Sequence, residues 1–174
     1  DVIRRLESWK DEPVRGRLHR LKEQASALAK RLDKPELIVS IDGGEVRMPK
    51  DVMAPFWGSL THVIRNSLDH GLESAAERAV AGKPENGRVE FLVKEQEDGY
   101  IITVSDDGRG IDWKKLATKA ESKGLSTATQ DDLVKALFAD GISSKDEVSS
   151  ISGRGVGMSA VAAACRRLGG KIEV

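Results

Sequence analysis

Apolar residues recur at alternating steps of four and three from Val14 to Leu32, which is the spacing that lines one face of an α-helix. The stripe covers fewer than three heptads, so it predicts a helix that packs on a domain core rather than a coiled coil. Similar patterns, with capping and stop residues, predict further helices at about 49–71, 74–81, 112–123, 130–138 and 156–168.

Alternation of apolar and polar residues predicts strands between these helices. Short strands are expected at 36–41 and 46–48, a β-hairpin at 87–95 and 100–105, and a last strand at 171–174. Residues 1–13 are polar and are interpreted as a lead-in. This mixture favours an α+β fold: a two-layer α/β sandwich, with helices packed on one face of a mixed, largely antiparallel sheet.

Composition narrows the class without defining a function. The 174 residues carry 28 Lys+Arg and 28 Asp+Glu, and this zero net charge argues against nucleic acid as the main partner. No apolar run is long enough for a membrane span. A single cysteine without zinc-type spacing excludes an internal disulfide and favours a reducing compartment.

The first stretch with candidate chemistry is His62-Val-Ile-Arg-Asn66-Ser-Leu-Asp-His70-Gly71. On a helix, its three residues spaced by four place two imidazoles and an amide on one face. The amide oxygen is a suitable ligand for Mg²⁺, whereas two histidines eight residues apart do not make a zinc site. The alternative interpretation is a set of surface polar residues on an amphipathic helix.

The second stretch, from Val104 to Asp112, directly follows a predicted strand. Asp106 ends that strand, and Gly108 and Gly110 allow a sharp turn and a close approach to a ligand. A carboxylate at a strand end can accept a hydrogen bond from the exocyclic amine of a base. The alternative is a charged glycine-rich loop in which Asp112 caps the next helix, and both can hold together.

The third stretch is Ser152-Gly-Arg-Gly-Val-Gly-Met158, in which three alternate glycines precede a helical pattern. Backbone N–H groups at a helix N-terminus favour anions. The spacing matches neither the Gly-x-Gly-x-x-Gly fingerprint nor a P-loop, so it indicates a phosphate cradle of another architecture.

In this order, and separated by about 40–50 residues, the three stretches resemble the nucleotide-binding boxes of the GHKL ATPases, which include gyrase, Hsp90, MutL and histidine kinases. Within them, the residues are similar to those of the chemotaxis kinases of the CheA type. Leu137-Phe138-Ala-Asp-Gly141-Ile-Ser-Ser144 resembles the Phe-x-x-Gly-Phe-Ser-Thr stretch of those kinases, with Ile142 and Ser144 as departures. The resemblance covers roughly residues 36–174 and implies the Bergerat fold.

The resemblance implies a role for each matching residue. Asp106 would bind the adenine amino group, and Asn66 would bind Mg²⁺ with His62 beside the metal. His62 and Asn66 would be the catalytic residues. Phe138 would be the apolar latch of a lid over about 123–153. The implied ATP contacts are Asn66, His70, Asp106, Gly108, Gly110, Lys114, Phe138, Ser152, Gly153, Arg154, Gly155, Val156 and Gly157.

One position bears on the type of reaction. Hydrolytic members of the superfamily carry a glutamate four residues before the asparagine, where this chain has His62. The resemblance therefore implies transfer of the ATP γ-phosphoryl to a histidine on a separate phosphotransfer domain, for relay to a response regulator. Ser159 replaces the usual aspartate, and this keeps open a degenerate ATP-binding module that acts as a scaffold.

The resemblance also implies the surroundings of the chain. Residues 1–34 would be a lead-in and linker helix from a dimerisation region, and 35–174 the ATP-binding domain, with its final strand and a regulatory domain beyond Val174. ATP and Mg²⁺ are the implied cofactors. A cytoplasmic homodimer, served by a chemoreceptor and coupling protein through other domains, is the implied assembly, without membrane insertion.

Overall fold

The computed structural model describes residues 11–142 and 157–174. Its strands are β1 (Asp11–Pro13), β2 (Leu37–Asp42), β3 (Arg47–Pro49), β4 (Gly87–Gln96) and β5 (Gly99–Asp106). Its α-helices are α1 (Arg15–Arg31), α2 (Lys50–Asn66), α3 (Ala75–Val80), α4 (Trp113–Ser122), α5 (Gln130–Leu137) and α6 (Met158–Arg167), and a π-helical turn (Ser67–Gly71) follows α2. The α+β class is confirmed, and a helix lies at each predicted helical position that the structure describes.

Contacts between residues divide the chain into two compact units. Among the described residues, the first unit comprises those up to Trp57 and Ile64–Gly110, and the second comprises Gly58–Val63 and those from Ile111 onward. The predicted division between residues 34 and 35 stays a prediction. No helix within the described ranges is both long and apolar enough to cross a bilayer.

The first unit contains a three-stranded sheet in the order β2–β4–β5. β2 runs parallel to β4, with Ile41 opposite Phe91, and β4 and β5 form the predicted antiparallel hairpin, with Val93 opposite Ile102. The sheet is therefore mixed, as expected. Val39, Val89, Phe91 and Val93 are buried, and they alternate with exposed residues as the pleat requires.

β1 was not predicted, because its three residues lie in the polar lead-in. It pairs antiparallel with β3, with Glu12 opposite Met48. Its side chains bury little, so main-chain pairing and the ion pair between Glu12 and Arg17 hold it instead of an apolar stripe. This interaction leaves no period-two signal in the sequence.

Helix α1 packs its apolar face on the first unit, in contact with β2. Leu18, Leu21, Ala25 and Ala29 are buried. Leu28 was expected on this face but is only half-buried. At 3.6 residues per turn, Ala29 is rotated about 40° around the helix axis from Ala25, and Leu28 is rotated about 60°. Ala29 therefore lies closer to the centre of the buried face than Leu28 does.

The second unit has its own apolar cluster, which joins α4 and α5 through side chains that are almost inaccessible to solvent. Its buried members are Leu116, Ala120, Ala136 and Ile142. Asp112 caps α4 as predicted, because its Oδ1 accepts a hydrogen bond of 2.9 Å from the Lys115 N–H. Ile142, one of the departures from the CheA-type pattern, is thus a core residue.

Two expectations were wrong. The helix predicted to end at Gly71 is α-helical only to Asn66 and then changes to π winding, which adds a residue to the turn. Residues 171–174 form no strand with any described part of the chain. The apolar alternation at this end is too short to specify a pairing partner.

We expect Leu18→Ala to lower the free energy of unfolding by about 2–5 kcal/mol, because Leu18 is fully buried and its loss leaves a cavity. Leu28→Ala removes the same atoms from a half-buried position of the same helix and should cost roughly 1 kcal/mol or less. Urea unfolding followed by circular dichroism measures both. Equal losses would contradict the packing of α1.

Candidate functional site

Two adjacent aspartates at the end of β5 have different surroundings. Asp106 is the last residue of the strand and is exposed, whereas Asp107 is half-buried. Successive side chains of an extended chain point to opposite sides, so one carboxylate faces solvent while its neighbour turns into the protein. The strand end thus presents the Asp106 carboxylate as an acceptor to solvent and is anchored to the protein by the Asp107 carboxylate.

Gly108 lies in close contact with the end of the π-helical turn. A Cβ added to Gly108 would sit 2.4 Å from the Gly71 carbonyl oxygen and 2.8 Å from Asp106 Oδ1. The Gly108 N–H donates to Asp106 Oδ1 at 3.0 Å, and the Arg109 N–H donates to the Gly71 carbonyl at 2.9 Å. Only glycine fits at position 108, because any side chain would push the loop off the turn.

The π-helical turn brings the end of α2 to the same place. A Cβ on Gly71 would lie 3.5 Å from Asp106 Oδ1 and 3.9 Å from the Asn66 carbonyl oxygen, so both groups lie near one point. The Leu72 N–H closes the turn by donating to the Ser67 carbonyl at 2.7 Å. Single π turns of this kind are frequent at functional sites.

The same turn corrects one prediction. The spacing of four was expected to place His62, Asn66 and His70 on one helical face. That spacing holds within α2 for the first two residues only, because the π turn shifts the direction of the residues beyond Asn66. His70 is exposed and Asn66 is half-buried.

The fully buried Arg78 binds the loop that follows β5 through Asp107. Every N–H of the Arg78 guanidinium has an acceptor: Nε donates to the Pro84 carbonyl, Nη1 to Glu73 and Asp107, and Nη2 to the Asn86 carbonyl and Asp107. The Asp107 carboxylate is bound by both forks, at 3.2 and 2.7 Å. This bidentate pair fixes both the position and the orientation of Asp107.

Lys83 adds a second cation to the cluster. Its ammonium group donates to Glu73 Oε1 at 2.7 Å and to the carbonyls of Asp107 and Gly108, both at 2.9 Å. These three acceptors satisfy its three donors. Two cations and two carboxylates therefore tie the segment 73–86 to the backbone of the loop after β5. We call Glu73, Arg78, Lys83 and Asp107 the anchor cluster.

The contacts within the anchor cluster shift the pKa of Asp107, Glu73 and Arg78. Burial raises the pKa of the Asp107 carboxyl, but hydrogen bonds from Arg78 and from the Arg88 N–H outweigh it and leave the pKa below its usual value. The hydrogen bond from Lys83 lowers the pKa of Glu73, and the hydrogen bond to Asp107 raises the pKa of Arg78. The carboxylates of Asp107 and Glu73 and the guanidinium of Arg78 are thus ionised at neutral pH.

Several predicted residues belong to the second unit. His62 is half-buried on α2, Lys114 is exposed in the first turn of α4, Phe138 is buried at the end of α5, and Gly157 precedes α6. Ser152, Gly153, Arg154, Gly155 and Val156 lie outside the described residues, and Gly110 is exposed with φ 73° in the first unit. The structure brings together Gly71, Asp106, Gly108 and the main-chain carbonyl of Asn66, and the contacts of the other predicted residues and of the Asn66 side chain stay predictions.

The second unit also contains a cavity of about 430 Å³ between α5, α6 and the residues that follow α6. Its lining is Val134, Lys135, Phe138, Ala139, Asp140, Ala162, Arg166 and Ile172. Of the predicted site residues that the structure describes, only Phe138 lines this cavity. The candidate chemistry therefore rests on the end of β5 and not on this cavity. Within residues 11–142 and 157–174, no three His, Cys, Asp or Glu side chains cluster as metal ligands.

Comparison with known proteins identifies the class. The family of histidine kinase-, DNA gyrase B- and HSP90-like ATPases matches residues 58–174, and the chain belongs to this family. ATP binding is the property that the family implies.

Individual relatives narrow the class to the CheA type. The chemotaxis protein CheA of Bacillus subtilis is 35% identical over 168 residues, which are 93% of this chain and 25% of that protein. A gliding motility regulatory protein of Myxococcus xanthus is 38% identical over 145 residues, 80% of this chain and 19% of that protein. The chemotaxis protein CheA of Treponema pallidum is 36% identical over 145 residues, 81% and 18% respectively. The chain thus spans a quarter or less of the length of these relatives.

Sequence reasoning missed the whole anchor cluster. Arg78 and Lys83 look like solvated charges of a short helix and its end, since nothing local predicts that a guanidinium will be fully buried. The available signal was the Asp106–Asp107 pair. Two neighbouring carboxylates at a strand end must point to opposite sides, so one of them needs a partner within the protein.

We expect Asp107→Asn to cost stability in a pH-dependent manner. The pKa of Asp107 in the folded protein lies below the ordinary 3.8, so its ionised form stabilises the fold at pH values above that, and this stabilisation is lost as the pH falls through the lower folded pKa. Asparagine resembles the protonated carboxyl. The difference in free energy of unfolding between the two proteins should be largest near neutral pH and shrink below about pH 4.

Urea titrations between about pH 7 and pH 3 measure this difference. Asp98→Asn is the matched control, since Asp98 is an exposed residue of the β4–β5 turn and its loss should cost less than about 0.5 kcal/mol throughout. A difference for Asp107→Asn that stays constant down to the lowest pH would contradict an ionised, paired Asp107.

Proposed function

We propose that this chain is the ATP-binding catalytic domain of a chemotaxis-type protein histidine kinase, which transfers the ATP γ-phosphoryl to a histidine on a separate phosphotransfer domain. The observation that carries the proposal is the exposed carboxylate of Asp106, held beside Gly71 and Gly108 while its neighbour Asp107 is anchored. Membership of the ATPase family and the CheA-type relatives support it.

Asp106 has the chemistry that adenine recognition needs. Its Oδ1 accepts one hydrogen bond from the Gly108 N–H, and the carboxylate has further acceptor capacity for an exocyclic amine. The adjoining glycine backbone leaves space for a flat ring to approach. We assign the adenine amino group to Asp106, with Gly108 and Gly110 as the walls of the pocket.

Asn66 has the chemistry of a magnesium ligand. Mg²⁺ prefers oxygen donors and is usually held by one or two protein groups, substrate phosphates and water rather than by an all-protein cage. A half-buried carboxamide at the end of α2, with no three-residue metal cluster among the described residues, fits that mode. When bound, the ion supplies charge neutralisation on the phosphates.

The remaining roles follow the resemblance. His70, Lys114 and the segment from Ser152 to Gly157 are assigned to the phosphates, and Phe138 to the lid. His62 stands where hydrolytic relatives carry a carboxylate base, so the site lacks the carboxylate that activates water in those relatives, and we assign the role of nucleophile to an incoming imidazole. Catalysis then depends on positioning and charge neutralisation.

The proposal extends to the surroundings of the chain. A histidine phosphotransfer domain donates the acceptor imidazole, and a response regulator receives the phosphoryl group. The full-length protein is a cytoplasmic homodimer that a chemoreceptor and coupling protein control through other domains. The shares of 18–25% that the chain covers in its relatives are consistent with such further domains.

A second function has one specific observation in its favour. Ser159, in the first turn of α6, replaces the aspartate of the CheA-type pattern. A helix without this carboxylate can serve a module that binds ATP without transferring phosphate. The transfer experiment below separates the two functions.

Asp106→Asn should weaken ATP binding by about 10- to 100-fold, because it removes a charged acceptor from a single charge-assisted hydrogen bond. Calorimetric titration of this chain with ATP measures the loss. Asp98→Asn is the matched control and should bind like the wild type, since Asp98 lies in the exposed β4–β5 turn. Wild-type affinity in Asp106→Asn would show that the nucleotide binds elsewhere.

With labelled ATP and Mg²⁺, this chain should move the label to an added histidine phosphotransfer domain, and it should release free phosphate only slowly. Removing Mg²⁺ should abolish transfer, and Asn66→Ala, which removes the oxygen donor of the side chain, should reduce the gain in ATP affinity that Mg²⁺ provides. Tight ATP binding without transfer to any acceptor would favour the scaffold function. Rapid phosphate release without an acceptor would indicate hydrolysis instead.

A further inference from the structure

The anchor cluster uses charged groups where stability alone does not require them. Arg78 is completely inaccessible to solvent, and Glu73 is buried. Taking such charges out of water is costly, and apolar side chains of similar volume often stabilise a fold as well or better. Apolar side chains, however, make no directional hydrogen bonds and so do not fix the orientation of a neighbouring group. The directional bonds of the cluster therefore fix the positions of the groups that they bind.

The positioned element is the backbone of the loop after β5. The guanidinium of Arg78 holds Asp107 through two parallel hydrogen bonds, which fix the plane of the carboxylate. Lys83 holds the carbonyls of Asp107 and Gly108, which are successive peptide units. The Arg88 N–H adds a bond of 2.8 Å to Asp107 Oδ1. Few degrees of freedom remain for the two residues that follow Asp106.

The position of Asp106 is constrained by these contacts through its chain neighbours. It is one peptide unit from Asp107, and its Oδ1 accepts from the N–H of Gly108, whose own carbonyl is bound by Lys83. The anchor cluster binds the loop through the Asp107 carboxylate and the carbonyls of Asp107 and Gly108. A displacement of the anchor therefore moves the Asp106 acceptor directly.

We propose that Arg78 and Lys83 are positioning residues for the Asp106 carboxylate and thereby set the preference of the nucleotide pocket for adenine over guanine. This inference rests on the proposed function, because it takes Asp106 as the contact of the base. Neither cation touches the nucleotide; both act through Asp107 and Gly108.

The selectivity follows from the chemistry of the two purines. Adenine presents an amino donor at its six position, and guanine presents a carbonyl acceptor there. A fixed carboxylate binds the first and repels the second, so the discrimination depends on how well the acceptor is held. A looser loop weakens the adenine contact and relieves the repulsion of guanine. The ratio of the two affinities then falls.

Lys83→Met is the principal test variant. It keeps the length of the side chain and removes the three donors at a position that is 30% exposed, where water can satisfy the released carbonyls. Arg78→Lys is the second variant, because lysine keeps the charge and loses the bidentate fork. Asp107→Asn is the third, because it keeps the shape of the anchor and loses its charge.

The matched control is Arg17→Gln. Arg17 forms a half-buried ion pair with Glu12 at 3.1 Å in the same unit, between α1 and β1. It has no contact with the loop in the described hydrogen bonds and ion pairs. Its substitution reports what a comparable loss of stability does to nucleotide binding when the anchor cluster is intact.

Binding of ATP and GTP is measured by calorimetric titration for each folded variant, with the folded fraction determined by circular dichroism. We expect Lys83→Met to weaken ATP binding by about tenfold and to leave GTP binding nearly unchanged, so that the selectivity ratio falls by about the same factor. Arg78→Lys and Asp107→Asn should lower the ratio in the same direction. Arg17→Gln should keep the wild-type ratio.

The possible outcomes are distinct. If Lys83→Met and any other folded anchor variant keep the wild-type ratio, the inference is overturned while the proposed function stands. If Asp106→Asn also keeps the wild-type ratio, Asp106 is not the contact of the base, and the proposed function is contradicted at that residue. If Arg78→Lys or Asp107→Asn does not fold, Lys83→Met alone decides, since its position is partly exposed to water.

Discussion

The part of the structure that carries the site depends on one buried guanidinium. A buried arginine requires an acceptor for each of its five N–H groups, because an unsatisfied charged donor in the interior is strongly destabilising. Arg78 obtains them from the backbone at Pro84 and Asn86 and from the carboxylates of Glu73 and Asp107. This demand fixes the path of the irregular segment between α2 and β4 and attaches it to the end of β5.

The second constraint is steric and acts on the other side of the same loop. The π-helical turn carries the carbonyl of Gly71 to a point where it accepts from the Arg109 N–H and leaves no room for a side chain at Gly108. The loop is therefore held by charge on one side and by backbone contact on the other. An exposed recognition group can stay fixed in this setting without burying itself.

The elements predicted from the sequence are those whose burial is periodic along the chain. Helix α1 and the β4–β5 hairpin repeat their apolar positions, and the Asp112 cap is a local signal. β1 pairs with β3 and Arg78 pairs with Asp107, both distant in sequence, so no local pattern indicates them. The π winding is closed by a local bond from Leu72 to Ser67, and no apolar periodicity marks it. The glycine-rich segment 152–157 was recognised by resemblance, and its contacts remain predictions; of its residues the structure describes only Gly157, which precedes α6.

Asp106 and Asp107 show how one chemistry serves two purposes. Both are carboxylates at the same strand end, yet the alternation of the chain sends one to Arg78 and the other to solvent. The charge of Asp107 is neutralised within the fold and contributes to stability, whereas the Asp106 carboxylate remains available to an amine of a ligand. Environment therefore assigns the roles, as it does in other carboxylate pairs whose surroundings differ. Because the anchor and the proposed recognition group are separate residues, a substitution at Asp106 can leave the anchor at Asp107 in place.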